Sequence, residues 1–106
     1  MTEARFASLA GIPTDHPAFA GHFPGQPILP GVLLLQRVMN LAQAELGRSL
    51  AVCALRNVKF SAPVMPGNWL RIELIQTGPD QYSFGVHIVR SDDSQDVLAC
   101  SGQLRP

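Results

Sequence analysis

Charge is scarce in this chain: Lys, Arg, Asp and Glu make up 15% of its 106 residues, eight of each sign, for a formal net charge of zero. The basic residues stand singly. Binding to nucleic acid needs a basic patch or stripe, so that class is set aside. Cysteine is nearly absent. Cys53 and Cys100 are too few for a secreted disulfide scaffold and are expected to be half-buried, reduced thiols. No apolar run approaches the ~20 residues that span a bilayer, so no membrane insertion is expected. The opening Met1-Thr-Glu-Ala-Arg-Phe has no basic stretch followed by an apolar one, so no signal peptide is expected and a cytoplasmic protein is the default. His16, His22 and His87 have no ligand spacing, and no Cys or carboxylate completes a set. Neither a metal nor any other cofactor is expected.

What is present is apolar. A hydrophobic fraction of 46% marks a globular chain, and residues 1–106 read as one domain small enough for dimerisation to help bury its core. Residues 5–12 read as a first strand ended by Pro13, and 14–30 as a loop too rich in Pro and Gly for regular structure. A helix starts at Pro30-Gly31 and runs to about Leu46, with Gly47 as a left-handed C-cap. Its apolar positions cover most of the circumference, which predicts an enclosed helix. Gln36, Asn40 and Gln43 interrupt them as three amides on one stripe.

The second half alternates with a period of two. Residues 51–61 read as a long strand, broken by Pro63 and by Pro66-Gly67. Leu70, Ile72 and Leu74 alternate with Arg71 and Glu73, and Tyr82, Phe84, Val86 and Ile88 with Ser83, Gly85 and His87. His87 therefore belongs on the outer sheet face. Turns at Gly78-Pro79-Asp80 and Asp92-Asp93-Ser94 precede the last two strands, of which the final one covers 96–104. The fold class is α+β: one central helix wrapped by a curved antiparallel sheet of about five strands.

Function concentrates in residues 21–36, Gly-His-Phe-Pro-Gly-Gln-Pro-Ile-Leu-Pro-Gly-Val-Leu-Leu-Leu-Gln. His22 lies in a Pro- and Gly-stiffened turn directly before the buried helix. An imidazole there suits a general base acting on an apolar substrate. Its alternative is a packed structural histidine. Gly31 and Val32 open the helix, and their free N–H groups suit an oxygen on which charge develops. Gly21 permits close backbone approach. Phe23 and Trp69 read as core or interface aromatics, while Gln36, Asn40 and Gln43 need partners whether structural or in contact with substrate.

The stretch Phe19-Ala-Gly-His-Phe-Pro-Gly-Gln-Pro-Ile-Leu-Pro-Gly-Val resembles the active-site signature of the β-hydroxyacyl-acyl carrier protein dehydratases, hot-dog fold enzymes of fatty-acid synthesis. The chain looks closest to small members associated with polyene pigment and other accessory lipid pathways. Phe60-Ser-Ala-Pro-Val-Met-Pro-Gly-Asn is similar to the family's second turn, and the resemblance extends from about Phe6 to the C-terminus. It implies a homodimer or higher homo-oligomer acting on a 3-hydroxyacyl thioester of acyl carrier protein or coenzyme A. His22 would act on the C2 proton, with Gly21, Phe23, Gly31, Val32 and Asn40 around the substrate.

Fourteen residues on from His22, on the helix of the other subunit, the family has a carboxylate that protonates the departing hydroxyl. Here that position is Gln36. Glutamine has no acidic proton, and a general acid contributes about 10²–10⁴ in rate. Three functions follow: a dehydratase, a half-catalytic subunit in a heterodimer with a carboxylate-bearing paralogue, or a hot-dog acyl thioesterase. Arg37, Arg56, Lys59 and Arg71 would each meet an acidic carrier or simply be solvated.

Overall fold

The computed structural model describes residues 4–15, 28–47, 49, 53–90 and 95–106. Strand β1 spans Arg5–Gly11 and helix α1 spans Gly31–Leu46. Strands β2 (Ala54–Phe60), β3 (Trp69–Gly78), β4 (Gln81–Val89) and β5 (Val97–Arg105) follow. All five strands form one antiparallel sheet in the order β1-β3-β4-β5-β2. The central strands are bound by their alternation. Leu70, Ile72 and Leu74 pair with Ile88, Val86 and Phe84 on the buried face. His87 lies in register with Arg71 on the opposite face, as its phase requires.

Helix α1 lies against that face, closest to β3 and flanked by β1 and β4. Its buried side chains are Leu34, Val38, Leu41 and Ala42, which recur at helical spacing on one side. They join Ile12, Leu29, Val64, Leu70, Leu74, Val86 and Leu104 in one core. Burying one such side chain contributes roughly 1.5–3 kcal/mol, so this face holds the helix on the sheet.

Both helix ends follow from local chemistry. Pro30 is the N-cap, with φ −57° and ψ 139°, so Gly31 and not Pro30 is the first helical residue. Gly47 closes the other end at φ 66°, donating its N–H to the Gln43 carbonyl. That left-handed conformation carries a steric cost for residues with a Cβ and none for glycine.

Several expectations change. The helix is not enclosed: Val32 is 69% exposed, and Gln36 and Asn40 share its open side. A single five-stranded sheet covers only one side of a helix, whatever apolar residues lie on the other. Cys100 is fully buried rather than half-buried, and burial pushes its thiol pKa up. Cys53 is half-buried, with its Sγ 3.6 Å from the Met39 sulfur. Trp69, read as core or interface, is 54% exposed at the start of β3 and so is not in the core of the described chain.

Strand bounds also shift. Ile12 leaves β1 to exchange backbone hydrogen bonds with Asn68 and Gly67, both 2.8 Å. The first strand after the helix begins at Ala54, with Asn57 at φ 54° where the register shifts between Arg56 and Lys59. Only β3 and β4 are joined by a two-residue turn, Pro79-Asp80, in which Asp80 takes φ 51°. The last strand begins at Val97, one residue later than expected.

Candidate functional site

Just before α1, the Leu29 N–H donates to the Val64 carbonyl at 2.8 Å. That bond ties the entry to α1 to the segment 61–68 that follows β2. Between the two lies a cavity of about 490 Å³, lined by Ile28, Leu29, Val32, Leu34, Ala62 and Val64, with Gly31 and Phe60 at its helix end. The lining side chains are apolar apart from Ser61. The helix end adds backbone donors, because the first turn of any α-helix leaves N–H groups without an intrahelical acceptor. Here the Leu33 N–H turns back to the Pro30 carbonyl at 3.0 Å, so Gly31 and Val32 supply the free donors of that turn.

Of the residues singled out from sequence, Gly31, Val32, Gln36 and Asn40 are brought together on α1. Val32, Gln36 and Asn40 succeed one another at four-residue steps along its open side. Gln36 Nε2 donates to Asn40 Oδ1 at 3.2 Å. Gln43, the third amide, is half-buried at the edge of the same stripe. Gly21, His22 and Phe23 lie outside the described residues, as does His16.

One residue of the cavity was missed. The Phe60 ring lies on Gly31, where an added Cβ would stand 2.6 Å from Cε1 and 2.7 Å from Cζ. The trace in the sequence was Gly31 itself. Glycine is a poor helix former, and at a first helical position its presence signals another group approaching the backbone.

The ionisable residues described here lie elsewhere. Arg71 bonds Glu73 Oε1 through Nε at 2.8 Å and Asp96 Oδ2 through Nη1 at 2.5 Å, on the outer sheet face. Its guanidinium holds the Asp96 carboxyl below the usual carboxylate range, helped by the Arg90 backbone N–H. Arg71 is thus paired within the fold rather than a free cation for a carrier. Among the described residues no His, Cys, Asp and Glu form a group of three or more able to hold a metal ion. No helix among them is long and apolar enough to cross a membrane.

Comparison with known proteins agrees with this geometry. Residues 2–103 match the model of the ApeI-like family, described as ApeI dehydratase. The 3-hydroxyacyl-[acyl-carrier-protein] dehydratase FabZ of Geobacter metallireducens is 40% identical over 88 residues, covering 70% of this chain and 55% of the relative. FabZ of Thermomicrobium roseum is 31% identical over 107 residues, covering 94% of this chain and 70% of the relative. The chain thus spans from about half to about two thirds of the length of these relatives. The dehydratase heterocomplex ApeI:P of Xenorhabdus doucetiae superposes with a TM-score of 0.73 at 23% identity, over 99% of this chain and 93% of that one. One helix held in a five-stranded antiparallel sheet is the hot-dog fold, and the chain belongs to the ApeI-like dehydratase family.

Proposed function

We propose that this chain is a 3-hydroxyacyl-thioester dehydratase-like subunit, with His22 as general base and Gln36 at the position of the family's acid. The observation that carries the reading is the apolar cavity of about 490 Å³ that opens onto the first turn of α1. It offers an acyl chain a mostly apolar wall and its thioester carbonyl two backbone donors. The carbonyl oxygen accepts from the N–H groups of Gly31 and Val32, where the helix dipole favours the negative charge that builds during proton loss at C2. His22 takes that proton, the freed electron pair forms the C2–C3 double bond, and the C3 hydroxyl departs as water. Gly21 and Phe23 flank the base along the substrate.

The departing hydroxyl needs a proton. Gln36 gives it a hydrogen bond, directly or through a water, but no proton of its own. Asn40 orients the Gln36 amide from one turn away. A slow dehydratase results, with the proton drawn from solvent or from a second chain. The carrier is acyl carrier protein or coenzyme A.

The open stripe of Val32, Gln36 and Asn40 favours a second chain over that face. In a homodimer it places Gln36 of one copy beside His22 of the other. In a heterodimer, a paralogue supplies the carboxylate and this chain supplies His22 and a cavity.

The test is turnover of 3-hydroxyacyl pantetheine thioesters by the parent and by His22→Ala. Loss of dehydration with an unchanged melting temperature is expected, because His22 precedes the helix in the sequence. Wild-type turnover by the variant overturns the assignment. Thioester hydrolysis in place of dehydration would make the protein a thioesterase.

A further inference from the structure

Phe60 has no part in the chemistry above, yet its ring is pressed against the first residue of α1. As the ring stands, a methyl group on Gly31 would displace it, since a Cβ there would lie 2.6 Å from Cε1. Phe60 ends the edge strand β2, pairs with Cys100, and is still 55% exposed. The ring therefore spends one side on the helix backbone and borders the apolar cavity with another.

We propose that Phe60 is the specificity-determining wall beside C2 of the acyl chain, admitting unbranched chains and excluding a substituent at C2. The inference rests on the dehydratase reading. With the thioester oxygen on the N–H groups of Gly31 and Val32, C2 lies two bonds from that oxygen, close to the helix terminus. A ring that excludes a methyl from Gly31 then bounds the space into which a C2 methyl would project. Ile28, Leu29, Leu34 and Val64 receive the rest of the chain as an aliphatic wall. Phe60 touches substrate without donating or accepting a proton. Its effect is on which substrate enters, not on the acid–base step.

The experiment compares the parent, Phe60→Ala and Phe60→Leu on two probes: the pantetheine thioester of 3-hydroxydecanoate and its 2-methyl analogue, which keeps one C2 proton to lose. Values of kcat/KM are measured by turnover, and Kd for the matching non-reactive thioethers by calorimetry. One methyl in an apolar pocket changes selectivity by about 10–200-fold, so Phe60→Ala is expected to raise the branched-to-straight ratio at least about tenfold, with Phe60→Leu between. Gly31→Ala should weaken binding of the straight thioether, and adding Phe60→Ala should restore it by removing the ring that the new methyl strikes. Should Phe60→Ala not fold, the conservative leucine variant decides. A parent that turns over or binds the straight probe, with a ratio indifferent to residue 60, overturns the role of Phe60 alone. A parent that neither turns over nor binds either probe overturns the dehydratase reading and this inference with it.

Discussion

Gln36 and Asn40 are joined by a hydrogen bond of 3.2 Å across one turn of α1, both on the side of the helix that the sheet leaves open. Two amides satisfy one another where the dehydratase signature calls for a carboxylate.

Gln36→Glu should therefore supply what is missing. The side chain is exposed, so the fold bears the charge, and Asn40 has an amide N–H₂ to turn toward the new carboxylate. Dehydration should accelerate by about 10²-fold or more, with a bell-shaped pH profile between pH ~5 and ~9 set by the imidazole and the new acid. If the parent is already fast and the substitution slows it, Gln36 is not a lesion and the proton comes from elsewhere.

The open stripe predicts association. Val32, at 69% exposed, starts a row that continues through Gln36 and Asn40 on the side of α1 that the sheet leaves open. Sedimentation should give a mass of two chains or more, with Val32→Lys shifting the equilibrium toward the single chain. A parent that sediments as one chain at micromolar concentration would sink the expectation.

The outer face predicts a pH effect. Arg71 hydrogen-bonds Asp96 and lowers its carboxyl pKa in the folded state. A depressed folded pKa stabilises the protein above the unfolded value and ceases to do so as pH falls through the folded one. Asp96→Asn should thus lower the melting temperature at neutral pH. The difference should fade below the ordinary carboxylate range and shrink in high salt, because the pair is solvent-exposed. A difference that persists unchanged into strong acid would show that the lost contact is not ionic.

Much of the architecture was legible because it rests on local rules. The bounds of α1 follow from Pro30 and Gly47, one restricting the backbone before the first turn and the other accepting a left-handed φ of 66°. The phase of Leu70, Ile72 and Leu74 assigns the buried face of β3, and that of Tyr82 through Ile88 assigns β4 and turns His87 outward. These are properties of a few neighbouring residues, so periodicity reads them directly.

The sequence by itself determined the single helix, the alternating strands, and the stretch from His22 to Gln36 that resembles the dehydratase signature. Only the tertiary structure decided that β2 leaves its chain neighbour β3 to pair with β5 at the sheet edge. Strand order depends on pairings between distant segments, which local alternation does not encode. The same edge places Phe60 on Gly31, 29 positions earlier in the chain, and shapes the cavity mouth. On α1 the amide stripe of Gln36 and Asn40 was legible, but that the sheet leaves it and Val32 uncovered was not. Apolar residues all around a helix record that each side is meant to be covered, whereas one sheet of five strands has only one face to cover it with.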